Sequence, residues 1–294
     1  MSAIISSLNL LIEGISCAEI AIQDANSEMA ELDKVLDDAL ADSYVPQLVH
    51  AKIVHATASF SIEGMPDMSS IQGIVLSAKR QRVFFPKFAN QDMGKKLLAL
   101  SEKRPYCSSA NCVKGDLTEI DADSVAGEVR SAVDMIRAKL AQGGLICKLC
   151  PFSKFGSVAD FGLSGRGQIC NELRRLLFWK PDVKLPMIVT LPPTSIREWD
   201  GYMSSLDFAK RTANKVFTEI SLVPVEGGSM KYATARLAYK ADINQDILKL
   251  MLEPMTIDGV EKSFIKAMID LFQNKAPDVE DYMGDTNGET ADKF

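Results

Sequence analysis

The sequence predicts an α+β fold, a β-rich core with flanking and inserted helices and an acidic C-terminal tail. Three observations lead there. Short runs rich in branched and aromatic residues, separated by Gly, Pro and polar turns, begin near Gln47 and recur as far as Ala241. Segments with apolar residues at helical spacing precede these runs, interrupt them and follow them. Residues 276–294 then carry many acids and few apolar side chains, a composition expected to be disordered. The 294 residues divide accordingly into an acidic helical segment over 1–45, a core over 46–275 with a helical insert near 117–142, and the tail.

Hydrophobic residues make up 47% and charged ones 24%, the balance of an ordinary soluble globular protein. No stretch approaches the length needed to span a bilayer. The N-terminus lacks the basic region of a targeting signal, and Glu13 interrupts its one early apolar run. The six cysteines, at 17, 107, 112, 147, 150 and 170, therefore suit reduced thiols in a cytoplasm better than a disulfide framework. The net charge of −6 hides a segregation: residues 1–45 carry −8 and residues 276–294 carry −5, which leaves +7 on the middle. A basic body between acidic ends points toward a polyanionic partner.

Along the N-terminal segment, Ile12, Ile15, Ile20, Met29, Leu32, Leu36 and Leu40 recur among acids as one or two amphipathic helices. Such a segment serves as a cap on the core or as an arm for a partner or for self-association into a homo-oligomer. Strands are expected over Leu48–Ala56, Ile71–Ala78 and Arg82–Phe85. The last belongs to SAKRQRVFFPKF, which interleaves Lys79, Arg80, Arg82 and Lys87 with Phe84, Phe85 and Phe88. Cations for phosphates beside rings for bases is the composition of a single-strand groove, and equally that of an edge strand with a solvated basic face. His50 and His55, in the first strand, suit core or surface positions better than metal ligation.

The cysteine-rich centre follows. Cys107 and Cys112 lie in YCSSANCVKGD; a helix is expected within Leu117–Gln142, with Val125, Val129, Val133, Ile136 and Leu140 on one face and Gly143-Gly144 as its stop. Next comes CKLCPFSKFG, in which the two-residue gap between Cys147 and Cys150 lets a tight turn present two thiolates to one metal ion. With Cys170 following, a zinc site is the leading reading, although a CxxC also suits a redox pair or two buried thiols. Five central cysteines compete for four places. After Cys170, NELRRLLFWK carries Arg174, Arg175, Phe178 and Trp179, and LPMIVTLPP reads as a buried strand closed by prolines. Ser195 and Glu198 have capping-box spacing at the head of a helix with Ile196, Trp199, Met203 and Leu206 on one face, so Trp199 reads as core. Strands over Val216–Val225 and Tyr232–Ala241, joined at Gly227-Gly228, and helices over Asn244–Met251 and Val260–Phe272 complete the ordered part.

The sequence contains no phosphate loop ending in GK[ST], no HExxH, no nucleophile elbow and no acidic cluster spaced for magnesium. Without a general base to name, the chain reads as a binding protein rather than an enzyme.

IQGIVLSAKRQRVFFP, a Cys near 107, CKLCPFSKFG, GRGQICNELRRLLF and LPMIVTLPPTSIREW, in that order over roughly residues 70–240, resemble a family of bacteriophage and mobile-element proteins associated with single-stranded DNA binding. The resemblance implies an OB-like β-barrel core with a structural zinc site, and it points to Cys107, Cys147, Cys150 and Cys170 as the ligands, with Cys112 spare. The long helix between Cys112 and Cys147 departs from the compact form. The acidic tail ending in Phe also resembles tails of other single-stranded DNA-binding proteins.

The expected function is sequence-tolerant single-stranded DNA binding in phage DNA replication or recombination, in the host cell cytoplasm. Lys79, Arg80, Arg82, Lys154, Arg166, Arg174 and Arg175 would track phosphates, and Phe84, Phe85, Phe152, Phe155 and Trp179 are the candidate stacking rings. Strand alternation requires some of these rings to face the core. In the tail, Asp292 and Phe294 would meet replication or recombination proteins. A zinc-containing interaction or scaffold protein is the alternative, favoured by residues 1–45 but leaving the basic middle without a purpose. A DNA-processing nuclease ranks third, because no carboxylate constellation demands it.

Overall fold

A computed structural model describes residues 48–86, 91–101, 104–121, 123, 125–160, 167–227, 230–257 and 260–274. Residues 48–253 and 264–274 belong to one compact unit, and residues 254–263 to a second. The expectations for residues 1–45, Arg166, Asp292 and Phe294 lie outside the described residues.

The first unit is a mixed α+β structure on an open sheet. Its strands are β1 (Val49–Val54), β2 (Ser59–Ile62), β3 (Ser70–Phe84), β4 (Cys107–Ser109), β5 (Asp116–Leu117), β6 (Asn171–Lys180), β7 (Leu185–Leu191), β8 (Val216–Gly227) and β9 (Met230–Asp242). The main path runs β2-β1-β7-β6-β3-β4-β5, with β8 joining β3 and β9 joining β8. Only β1 and β7 run parallel; the other pairs along this network are antiparallel. The short strands β2 and β5 end the path, and no pairing between them closes a barrel among the described residues.

Strand β3 organises this network. The sequence suggests two strands interrupted by Lys79-Arg80-Gln81, but the structure has one of fifteen residues. Its cations sit opposite cations of β6, Lys79 across from Arg175 and Arg80 across from Arg174. The ladder tolerates them because Glu172 accepts from Arg80 and Arg174, while the carbonyls of Phe272 and Gln273 accept from Lys79. Ser70–Gly73 pair with β8, whereas Ile74–Val83 pair with β6. Gly73 sits where one ladder gives way to the other. A Cβ there would lie 2.3 Å from the Trp179 carbonyl oxygen and 2.6 Å from Cε1 of Phe178, so only glycine lets the strands approach this closely.

The helices are α1 (Gln91–Leu100), α2 (Gly127–Gln142), α3 (Ser157–Asp160), α4 (Ile196–Phe208), α5 (Gln245–Leu252) and α6 (Phe264–Asn274). They help to enclose two apolar clusters. One joins Phe60, Leu176, Phe178, Val189 and Ile220 of the sheet to Trp199 and Leu206 of α4, as the spacing of that helix predicts, and to Tyr202, which the spacing does not single out. The other joins Phe84, Leu97, Tyr106 and Phe152 to Val129, Val133, Ile136 and Leu140 of α2, and it includes Cys107, Cys150 and Cys170. Each such side chain contributes about 1.5–3 kcal/mol when fully removed from water.

Three local expectations are corrected. The insert begins as strand β5 and turns helical only at Gly127. Ser195 makes no capping bond within its helix; its buried hydroxyl instead accepts the Ala235 N–H of β9 at 2.9 Å, a tertiary bond that outcompetes the local one. Residues Val260–Ser263 form a strand, β11, paired with β10 (Pro254–Ile257), and the helix starts only at Phe264. The β10–β11 hairpin belongs to the second unit. Asn244 caps α5, its side-chain oxygen accepting the Ile247 N–H at 2.9 Å. Among the described residues, no helix is long and apolar enough to cross a membrane.

Candidate nucleic-acid interface and thiol cavity

Alternation along β3 and β6 sorts the expected cations onto two faces. Arg80, Arg82, Glu172 and Arg174 share one face; Lys79 and Arg175 share the other.

On the first face, one carboxylate is ringed by guanidinium groups. Glu172 Oε1 accepts from Arg80 Nη2 at 2.9 Å and Arg174 Nη1 at 2.7 Å, and its Oε2 accepts from Arg82 Nη2 at 2.9 Å. Arg174 also reaches Asp200 at 3.4 Å, and Arg82 reaches the Cys170 carbonyl at 3.4 Å. Burial raises the Glu172 pKa, but the Arg174 hydrogen bond and the charges of Arg80 and Arg82 outweigh it and hold the carboxyl below its usual range. The Arg80 side chain is 60% exposed, against 14% for Arg82 and 9% for Arg174. Arg80 is thus the member of this cluster that can reach a phosphate without leaving the fold.

The second face is covered by α6. Lys79 Nζ donates to the carbonyls of Phe272 and Gln273 at 2.8 Å each, at the helix end where partial negative charge collects. It also lies 4.7 Å from the Phe272 ring centroid, and the Arg175 guanidinium lies 5.6 Å from the same point. Burial, followed by repulsion from Arg175, lowers the Lys79 pKa to about 8. Arg175 is fully buried, and Trp179 is buried with its ring 5.3 Å from Phe264 of α6. Arg175 and Trp179 are therefore internal packing groups rather than part of the exposed groove expected from sequence, and half-buried Lys79 is engaged by the end of α6.

The rings divide in the same way. Phe84 and Phe152 stack on each other at 4.9 Å with Tyr106 against Phe84, so both sit in the core beside the thiols. Phe85 is half-buried. Phe155, 76% exposed, projects into solvent next to exposed Lys154. Phe84, Phe152 and Trp179 cannot stack on an incoming base without disrupting the core, whereas Phe155 can.

The four cysteines singled out by resemblance do converge. Cys107, Cys147, Cys150 and Cys170 line one cavity of about 20 Å³, together with Phe84, Gly115, Leu140, Leu145, Phe152 and Ser153. Cys107 comes from β4, Cys147 and Cys150 from the turn after α2, and Cys170 from the segment entering β6. The turn is secured by the Ser153 hydroxyl, which donates to the carbonyls of Cys147 and Cys150. Cys170 is tied to it by its own N–H, donated to the Phe152 carbonyl at 2.9 Å. Gly115 makes room, since a Cβ there would approach the Cys107 sulfur to 2.8 Å. Cys112 stands outside the cavity lining, half-buried and in the left-handed conformation at φ 61°, within the influence of the Arg80 and Arg82 charges.

The cavity disfavours bare thiolates. Burial pushes Cys107 up to about 12 and raises Cys170 as well; Cys150 is also raised, although the N–H groups of Phe152 and Ser153 donate to its sulfur and oppose the shift. All five central cysteines carry free thiols. Among the described residues, no group of three or more His, Cys, Asp or Glu side chains is set closely enough to form an assembled metal site. Sulfurs bound to one tetrahedral zinc at about 2.3 Å stand about 3.8 Å apart, so the thiols would have to close on the ion. The donor set fits such an ion in chemistry: four soft sulfurs, an apolar wall, and backbone N–H groups to stabilise a thiolate.

Sequence reasoning missed Glu172 and Asp200 as partners of the arginines, although Glu172, two residues before Arg174 in a strand, shares its face by alternation. It also missed the role of Gly115. His55 takes a structural place, its Nδ1 accepting the Ala233 N–H at 3.1 Å. Comparison with protein-family models, curated proteins and solved structures finds no match to this chain.

Proposed function

We propose that this protein binds single-stranded DNA without strong sequence preference and serves DNA replication or recombination of a phage or mobile element. The observation that carries this reading is the arginine row on one sheet face. Arg80, Arg82 and Arg174 gather around a single carboxylate, with Arg80 reaching solvent, in a middle segment whose net charge is +7. Phosphates would take the place of solvent around Arg80 and release counterions, which makes affinity fall with salt. Exposed Phe155 and Lys154 offer a ring and a cation of the kind that base stacking and phosphate contact require. An OB-like arrangement would suit this role, although the described strands form an open sheet rather than a closed barrel.

The four thiols would hold a structural zinc ion, which supplies a crosslink and no open coordination position for chemistry. On sequence grounds the acidic tail, with Asp292 and Phe294 at its end, would recruit replication or recombination proteins. The test is fluorescence anisotropy of a labelled oligothymidine titrated with the protein at low and moderate salt, with duplex DNA as competitor. Tight binding that weakens with salt and resists duplex is expected; absence of binding at low salt rejects the reading.

A further inference from the structure

The turns that carry the thiols place different residues on their two sides. Inward, Cys147, Cys150 and Phe152 close the cavity. Outward, Val113, Ile146, Leu149 and Phe155 are 60%, 44%, 59% and 76% exposed. Backbone pairing brings the first three together: Lys114 bridges Ile146, Cys147 N–H donates to the Val113 carbonyl at 2.9 Å, and Leu149 N–H donates to the Ile146 carbonyl at 2.9 Å. Phe155 follows from the same turn, whose Ser153 is tied back to Cys147. Large apolar groups concentrated on an exposed rim mark a contact surface.

The charge on the rim selects the partner. Lys114, Lys148 and Lys154 are exposed among these groups, against one nearby exposed acid, Asp116, and no acid occurs between Leu145 and Ala159. Cys112, immediately before Val113, lies within reach of the charges of Glu172, Arg82 and Arg80, so the rim adjoins the arginine–glutamate cluster. We infer that this thiol-turn rim is the base-contacting part of the single-strand site, with Phe155 and Leu149 against bases and Lys114, Lys148 and Lys154 along the phosphates. The assignment rests on the single-stranded DNA reading and moves its stacking surface away from the sheet rings. An unpaired strand fits because it presents base faces and phosphates together, whereas a duplex hides its base faces.

The experiment uses the full chain and photocrosslinking of 5-bromodeoxyuridine-substituted oligothymidine, with peptide mapping, alongside anisotropy of three variants. Crosslinks in the peptides spanning 113–114 and 146–155 are expected. The double variant L149S/F155S should weaken oligothymidine binding about ten- to a hundred-fold at unchanged salt slope, the loss of one stacked ring and one apolar contact. The double variant K148Q/K154Q should reduce the salt slope by about 1–2. Each should keep the wild-type thermal midpoint, because the substituted groups are exposed. Phe155→Ala alone replaces the first variant if that protein fails to fold. Wild-type affinity in both rim variants, with Arg80→Ala weakened, overturns this assignment and leaves the single-strand reading standing. Failure of the wild type to bind oligothymidine overturns both. Rim-dependent binding of acidic-lipid vesicles or an acidic peptide, with oligothymidine binding unaffected, overturns the assignment in favour of another partner.

Discussion

Glu172 and Arg82 face each other across the β3–β6 ladder, their side chains joined at 2.9 Å, and the same carboxylate also holds Arg80 and Arg174. A single negative charge thus keeps three cations in register on one face. Exchanging Glu172 for Gln leaves the shape and removes the charge. Glu172→Gln is expected to increase affinity for oligothymidine and steepen its salt dependence, because more cationic charge is then left to neutralise phosphates. Anisotropy across a salt series measures both.

The same carboxylate sets an acid limit. Its folded pKa lies below the ordinary value, so its contribution to stability is fully present above the ordinary carboxylate range and is lost as pH falls through the folded value. Wild-type protein is expected to lose more stability than Glu172→Gln below about pH 4.3. Urea unfolding of both proteins between pH 3 and 7 tests the difference.

Arg175 and Arg80 are expected to separate cleanly. Arg80→Ala should weaken DNA binding with an unchanged midpoint, since its side chain is 60% exposed. Arg175→Ala should lower the thermal midpoint, by about 2–4 °C for each kcal/mol lost, because the buried guanidinium packs over Phe272 under α6. Differential scanning fluorimetry with parallel anisotropy distinguishes the two roles.

Removing Phe272 should undo the α6 cover. Phe272→Ala is expected to cost about 3–5 kcal/mol, and it should return the Lys79 pKa toward its normal value as burial is relieved. With the Lys79 pKa held near 8 in the fold, wild-type stability should rise between pH 8 and the normal lysine range, since the unfolded chain binds the proton more tightly there. Lys79→Met should flatten that rise in chemical unfolding measured over the same interval.

Cys147→Ser should abolish stoichiometric zinc, measured by chelator colorimetry on protein purified in zinc, and lower the midpoint of the cluster around Phe84, Phe152 and Tyr106. Equal zinc content in wild type and variant removes the metal proposal. Cys112→Ser, outside the cavity lining, should retain zinc.

The strands and the apolar face of α2 were legible because periodicity reports directly on burial: Val129, Val133, Ile136 and Leu140 fall where a 3.6-residue repeat places them. The resemblance singled out Cys107, Cys147, Cys150 and Cys170, which line one cavity without being set closely enough to form an assembled metal site among the described residues. Exposure was not. Phe84 and Phe85 are adjacent and chemically alike, yet the strand turns one into the core beside Phe152 and leaves the other half-buried. Lys79 and Arg80 look equivalent in sequence, but α6, nearly two hundred positions away, covers one of them. The Ser195 capping box failed for a related reason, since its hydroxyl found a partner on β9 that local spacing cannot disclose.

At Gly73, where β3 passes from β8 to β6, the carbonyl of Trp179 occupies the space a side chain would need. The smallest possible addition, one methyl group, would have to prise that crossing apart. Because β6 leads on to the arginines and the fourth thiol, the disturbance would travel outward through the ladder, and a residue that touches neither of them would set how accurately the arginine cluster and the thiol cavity are aligned.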